Sequence, residues 1–240
     1  MVAAGCLVLS LLVGVPPAQA APLVENFDGV VAPALPAGWT TSVTSPIPGK
    51  PHPPWVTTAS APVDTAPNVA FAPNPDHITD NVLVSPVVAI SPLGPQLSFR
   101  HRVDLEDRFD GGVLEIKIGG GPFTDILAAG GSFLAGGYNG VIEIDHFNPI
   151  EGRPAWTGNF GAFITTTVSL PAAASAQNVQ FRWRLATDDS VGRTGWRLDT
   201  ISTSESCTQT TPPTGALVGT ADADDLAGTP GPDRIYGLGG

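Results

Sequence analysis

The sequence predicts an all-β protein, a two-sheet antiparallel sandwich, and three observations carry that expectation. The first is composition: 28 Gly, 25 Pro and 14% charged residues in a chain of 240 leave little material for long amphipathic helices. The second is patterning, because several runs alternate apolar and polar residues and so give a strand one buried and one solvated face. The third is connectivity: turn residues recur at short intervals, and no strand–helix–strand rhythm appears.

At the N-terminal end, Val2 to Val15 are almost wholly apolar, Pro16-Pro17 break the run, and Ala18-Gln19-Ala20 offers a small-x-small cleavage pattern. Residues 1–20 therefore read as a secretory signal, with mature protein beginning near Ala21. The missing basic n-region points to a start other than Met1 or to a truncation upstream. The run is shorter than the ~18–20 apolar residues a bilayer span needs, and no later segment qualifies. Ala4-Gly5-Cys6 precedes the apolar stretch, whereas a lipoprotein box follows it.

Residues 21–206 then form one domain, long enough to bury a substantial core. Leu97, Phe99, His101 and Val103 share one face of a strand, with Ser98, Arg100 and Arg102 on the other. Leu114, Ile116 and Ile118 oppose Glu115 and Lys117, and Val179, Phe181, Trp183 and Leu185 oppose Gln180, Arg182 and Arg184. The arginines on these strands, together with Arg197, read as cross-strand partners for Glu115 and other acids, worth a few tenths of a kcal/mol each. A ligand-binding arginine ladder is the alternative.

Charge narrows the partners. A net charge of −11 argues against nucleic acid or an anionic membrane, which call for clustered Lys and Arg, and it suits divalent cations. Once the signal is removed, Cys207 is the only cysteine, so no internal disulfide forms; it either pairs beyond Gly240 or is an isolated thiol. The densest acidic stretch is Asp104-Leu-Glu106-Asp107-Arg-Phe-Asp110-Gly-Gly. It fails as an EF-hand because Arg108 falls at a ligand position, Phe109 replaces the turn glycine and the flanks are strands. Two readings stay open: a loop Ca²⁺ site built on Asp104, Glu106 and Asp110, or a solvated turn in which Asp110-Gly111 sets a hairpin.

Three segments add a resemblance. Glu25-Asn-Phe-Asp28 with Leu35-Pro-Ala-Gly-Trp39-Thr, Asp80-Asn-Val-Leu-Val-Ser-Pro86, and Thr194-Gly-Trp196-Arg-Leu-Asp199-Thr-Ile201 resemble the opening, middle and closing strands of cleaved-adhesin/MAM-type jelly rolls. The resemblance covers most of residues 22–204 and implies a jelly-roll sandwich, usually with bound calcium, that serves adhesion or ligand binding without chemistry of its own. In such jelly rolls the first and last strands run side by side, which would bring Glu25 and Asp28 near Asp199. An unpaired carboxylate at Asp199, in an otherwise apolar and β-branched strand, would be costly. Its partner is expected to be a metal shared with Glu25, or else an arginine of an adjacent strand. Asp80 is a further candidate ligand or a turn residue.

For ligand binding the candidates are Tyr138 and Asn139 in a Gly-rich loop, and Arg153 and Trp156 in the stretch that follows, since an exposed aromatic beside polar groups suits a sugar ring or a peptide side chain. The alternative places Trp156 in the end of the core; Trp39, Trp55, Trp183 and Trp196 read as core. Catalytic signals are weak. His52, His77, His101 and His146 lack helical zinc spacing, no Gly-x-Ser-x-Gly elbow occurs, and His146 beside Asp145 is a poor candidate base.

A Thr/Pro linker over residues 207–218 leads to a periodic tail. Gly219, Gly228 and Gly237 step by nine, as do Asp224 and Asp233, and Leu226 and Ile235. These residues resemble the nonapeptide of RTX (hemolysin-type) calcium-binding proteins, whose β-roll uses two nonapeptides per coil; the resemblance makes Asp224 and Asp233 calcium ligands. Thr220, Thr229, Asp222, Pro230 and Pro232 depart from the pattern, and the third repeat lacks its Asp. Residues 219–240 are therefore expected to hold no complete site, and everything from about residue 210 onward to be disordered or a short truncated β-roll. An acidic Gly/Pro linker is the alternative. The whole reads as a secreted, Ca²⁺-associated, non-catalytic module for an extracellular glycan or protein ligand and part of a longer polypeptide. An accessory domain of an exported hydrolase and a structural stalk are the other classes.

Overall fold

The computed structural model describes residues 22–45, 47–92 and 94–205, together with two short strands at 217–218 and 235–236. Fifteen strands make up the body. In chain order they are β1 (Val24–Glu25), β2 (Thr40–Thr44), β3 (Val56–Thr58), β4 (Val69–Asn74), β5 (Thr79–Val84), β6 (Val88–Ala89), β7 (Pro95–Asp104), β8 (Gly111–Ile118), β9 (Phe123–Asp125), β10 (Ser132–Ala135), β11 (Gly140–Val141), β12 (Pro154–Ala155), β13 (Ile164–Ser169), β14 (Asn178–Thr187) and β15 (Arg193–Glu205). One sheet runs β10-β13-β7-β15-β4-β3 with β1 also on β15, and the other runs β2-β5-β14-β8-β9 with β6 also on β14. Strands adjacent in sequence mostly lie in different sheets, so the connections β4–β5, β7–β8 and β14–β15 all cross from one sheet to the other. The fold is an all-β, two-sheet antiparallel jelly-roll sandwich, as the alternation implied.

The inward faces match the predicted strands. β7 buries Leu97, Phe99, His101 and Val103, and β14 buries Val179, Phe181, Trp183 and Leu185. Between them lies an aromatic stack: Phe99 meets Trp156 and Trp183 edge-on at centroid distances of 5.7 and 5.6 Å, while Trp196 packs on Trp55 and Trp156 at 5.5 and 5.7 Å. Edge-to-face pairs of this kind add about 0.5–1.5 kcal/mol beyond the area they bury.

His101 sits within this stack and is fully buried. The indole Nε1–H of Trp196 can only donate, and it donates to His101 Nδ1 at 3.2 Å. The proton of the neutral ring is therefore on Nε2, which lies 2.8 Å from Thr166 Oγ1. The Thr166 hydroxyl passes its own hydrogen to the Gly136 carbonyl at 2.7 Å. Burial drives the imidazole pKa down to about 3, helped by the charge of Arg100, so the ring is neutral in the folded state.

Two expectations about the second sheet are corrected. Asp110-Gly111 does not turn a hairpin: Gly111 and Gly112 open β8, and they are glycines for room. A Cβ on Gly112 would sit 2.4 Å from the Trp196 ring, and one on Gly111 would sit 2.5 Å from Ile142. Glu115, assigned to a solvated face, is only 3% exposed. The excursion between β9 and β12 folds over that face, where Arg153 contacts Glu115 at 2.7 Å and Asp125 at 2.8 Å. Arg182, directly opposite in register, also pairs with Glu115, and Arg184 reaches Glu115 at 3.4 Å and Asp80 at 2.8 Å. Burial pushes the Glu115 carboxyl pKa up, but the hydrogen bond from Arg153 and the charges of Arg182 and Arg153 outweigh it, so the net shift is downward.

Candidate functional site

The crossings β7–β8 and β14–β15 bring three acids together. Beyond Asp104 the chain leaves its sheet through Leu105, whose N–H is held by the Gly158 carbonyl at 2.9 Å. The next turn closes by a hydrogen bond from Asp110 N–H to the Glu106 carbonyl at 3.1 Å, with Arg108 at a φ of 67°. Thr157 fixes this turn, accepting from Arg108 N–H and donating to the Asp110 carbonyl, each at 2.7 Å. The result places carboxylate oxygens of Glu106, Asp110 and Asp188 within 4.8 Å of one another.

Burial is deep: Asp110 is 0% and Asp188 1% exposed. Asp110 accepts from Asn74 Nδ2 at 2.5 Å and from Asp188 N–H at 2.8 Å. Asn74 is steered by Arg193 N–H on its own Oδ1 at 3.0 Å. Asp188 Oδ1 accepts from Ser190 N–H at 2.9 Å. Glu106 Oε2 is buried and has no hydrogen-bond partner among the described residues. Burial pushes the Asp110 carboxyl up to about 8; the Asp188 and Glu106 charges add to this, while the hydrogen bond from Asp188 N–H opposes it. Glu106 is likewise raised, by burial first and then by Asp188. Calcium binds oxygens at about 2.3–2.6 Å, so two ligands on opposite sides of one ion lie about 4.6–5.2 Å apart, and this donor set and spacing fit such an ion.

Asp104, expected here, is elsewhere. It is still in β7, where alternation turns it to the outer face, and there it accepts from Asn159 at 2.9 Å and Thr194 at 2.5 Å. Asp188 takes its place. Its only sequence signal is an Asp-Asp-Ser turn after a clear strand, and nothing local connects it to an acid 78 residues earlier.

The terminal candidates are arranged differently from the expectation. β1 does lie beside β15, with Val24 opposite Ser202 and Glu25 opposite Ile201. Asp199 has no arginine hydrogen-bond partner among the described residues: it accepts from Thr65 N–H at 2.9 Å, Thr200 N–H at 2.6 Å and the Thr65 hydroxyl at 3.1 Å. Glu25 accepts from Phe27 N–H at 2.7 Å, and Asp28 from Asn68 N–H at 2.8 Å. Among the described residues, Glu25, Asp28 and Asp199 do not form a three-acid group within 4.8 Å. Asp80 is spent on Arg184, and Asp224 and Asp233 lie outside the described residues.

The four ligand-binding candidates also have structural partners. Trp156 is 0% exposed and donates its Nε1–H to the Gly136 carbonyl at 2.9 Å, which is the core alternative. Asn139 pairs with the Thr157 backbone in both directions, at 3.0 and 2.9 Å. The Tyr138 hydroxyl accepts from Leu114 N–H at 3.0 Å and lies 3.1 Å from Asp125. Arg153 holds Glu115 and Asp125. Tyr138 and Arg153 thus fasten the covering excursion to the second sheet, while Trp156 and Asn139 hold the excursion to itself and to Thr157.

Fold and site thus define a jelly-roll sandwich with three carboxylates braced between two inter-sheet crossings. No family model matches the chain, and no curated protein matches it. Among solved structures it is similar to the K1 cleaved adhesin domain of Lys-gingipain from Porphyromonas gingivalis, at 18% identity, 77% of this chain, 98% of that one and a TM-score of 0.40. It is also similar to the carbohydrate-binding module TmCBM61 solved with β-1,4-galactotriose, at 9% identity, 70% of this chain, 89% of that one and a TM-score of 0.43. A structure described as a carbohydrate-binding module of the β-sandwich superfamily matches at 15% identity over 75% of this chain and 61% of that one, with a TM-score of 0.46. No helix of the described residues is long and apolar enough to cross a membrane.

Proposed function

We propose that this chain is a non-catalytic extracellular binding module whose loop end is braced by one Ca²⁺ held by Glu106, Asp110 and Asp188. The observation that carries the metal is the buried, unpartnered Oε2 of Glu106 facing two buried aspartates. Mutual repulsion at that spacing opposes ionisation of all three carboxylates and, after burial, contributes to the raised pKa of Asp110 and Glu106; a divalent cation would offset it and turn the cluster into a cross-brace, with carbonyls and water completing the shell. The adhesin-type segments around Asp28, Asp80 and Asp199 and the apolar, cleavable N-terminal stretch support export and a binding role.

The tail adds support of a separate kind. Two short strands, β16 (Leu217–Val218) and β17 (Ile235–Tyr236), pair in parallel with Leu217 opposite Ile235. That offset of eighteen residues is the length of one two-nonapeptide coil. It favours the opening of a β-roll over a plain acidic linker.

The test is calorimetric titration of Ca²⁺ into chelator-treated protein, with thermal melts of the wild type and Glu106→Gln. Saturable binding that raises the wild-type midpoint and is weakened in Glu106→Gln supports the reading. A midpoint that ignores both Ca²⁺ and EDTA removes it.

A further inference from the structure

The arginines of the outer sheet faces are not all alike. Arg100 is fastened to Asp64 at 2.7 Å, while Arg182 and Arg184 share Glu115 and Asp80. The Arg102 side chain makes no hydrogen bond or ion pair with any described residue, and its Nε is buried without a partner. Directly opposite it in the β7–β15 register stands Arg197. Arg197 is 6% exposed, lies over the Phe71 ring at 4.6 Å, and donates only to the carbonyls of Ser60 and Ala61, at 2.9 and 3.3 Å. Its Nε too lacks a partner. Like charges placed opposite one another across a sheet destabilise it. Here the pair has no carboxylate ion partner among the described residues, in a chain whose acids outnumber its Lys and Arg by 22 to 11.

The pair borders an open cleft of about 260 Å³ lined by Ala61, Pro62, Arg102, Asp104, Thr194, Gly195 and Arg197. Gly195 is held to glycine by the strand beside it: its φ is 123°, and a Cβ there would lie 2.1 Å from the Ala72 carbonyl oxygen. The volume falls just below the ~300–1,000 Å³ that drug-sized ligands occupy, so it suits one sugar ring. Two guanidinium groups against one carboxylate give the cleft a positive balance on an acidic protein. Arg102 is free to form the forked pair that guanidinium makes with carboxylate, Asp104 can accept from ring hydroxyls, and Ala61-Pro62 offers an apolar wall to the C–H face of the ring.

The geometry points to this cleft as a subsite for a uronic acid residue of an acidic polysaccharide, with Arg102 taking the sugar carboxylate. The inference rests on the reading of the chain as a binding module and supplies its ligand class. It does not depend on the calcium cluster, so the chelator melt and the sugar titration fail separately.

The experiment is calorimetric titration of the full chain with trisaccharides of galacturonate, glucuronate and mannuronate. Each is run against its carboxyl-reduced neutral form, with hexaglutamate as a further arm, for wild type and Arg102→Gln. The expected result is saturable binding of at least one uronate trisaccharide, loss of at least tenfold in affinity in Arg102→Gln, weakening with added NaCl, and no binding of the neutral forms. The thermal midpoint of Arg102→Gln is expected to equal or exceed that of wild type, because the substitution removes a repulsion and breaks no side-chain hydrogen bond or ion pair among the described residues. Failure of all three uronates, equal binding of a neutral form, unchanged binding by Arg102→Gln, or tighter binding of hexaglutamate each overturns the assignment, the last in favour of a docking surface for acidic protein.

Discussion

At the scale of single residues, His101 shows how far a side chain's role depends on neighbours absent from its own strand. The alternation placed it inward with Leu97 and Phe99, and that much was legible. Its tautomer and charge follow from Trp196 and Thr166, which come from other strands. Its folded pKa of about 3 lies below the ordinary value of 6.5. Above pH 6.5 the ring is neutral in both folded and unfolded chains and contributes no pH dependence. As the pH falls from 6.5 toward 3 the unfolded chain takes up a proton that the folded one refuses, so stability declines through that window by at most about 1.4 kcal/mol per pH unit. Urea unfolding followed between pH 7 and 4 is expected to show this slope in wild type and a shallower one in His101→Gln; parallel profiles would contradict the assignment. Trp156 carries a related lesson. Of the two readings open to it, surface aromatic or end of the core, the structure takes the second, because Phe133, Tyr138 and the Gly136 carbonyl, all from the preceding excursion, close around the indole.

At the scale of elements, period-two patterning was enough to fix which residues of β7 and β14 face the core, because burial enforces one register. It could not say what covers the other face. Glu115 was read as a solvated residue with weak cross-strand partners. Of the five strand arginines expected to pair with Glu115 and other acids, Arg182 and Arg184 do meet Glu115 and Arg100 meets Asp64, whereas Arg102 and Arg197 pair with no acid among the described residues; the energetics of Glu115 were missed because the excursion bearing Arg153 arrives from 38 residues away. Removing one member of a buried ion-pair network strands the others and costs about 3–5 kcal/mol. Glu115→Gln, which leaves three arginines facing one another, is expected to lose stability on that scale in chemical denaturation, whereas Lys117→Gln on the same strand changes little. Near-equal losses in the two variants would mean that the network is solvated after all. The acidic cluster was half legible for the same reason: Glu106 and Asp110 belong to one turn, and Asp188 joins them only when two crossings meet.

At the scale of the whole molecule, the two sheets are joined by packing in the middle, and the proposed Ca²⁺ would cross-brace Glu106, Asp110 and Asp188 at one end. Occupation of that end by Ca²⁺ at about a hundred times its dissociation constant adds roughly 2.7 kcal/mol to unfolding. The midpoint measured in EDTA is therefore expected to fall well below that in millimolar Ca²⁺, with Glu106→Gln insensitive to the difference.

One feature of the strand order bears on how such a module carries load. Leu23 and Thr203 are bonded to each other in both directions, Leu23 N–H to the threonine hydroxyl at 2.8 Å and Thr203 N–H to the Leu23 carbonyl at 2.9 Å, so the chain enters and leaves the sandwich at one corner. Tension applied between those two points opens the β1–β15 ladder like a zip, one bond after another, instead of shearing all of them at once. Pulling from residues 22 and 204 in a force spectrometer is expected to peel β1 away at low force before the aromatic core yields, and a single high-force rupture would show that the seam is stronger than its two rungs.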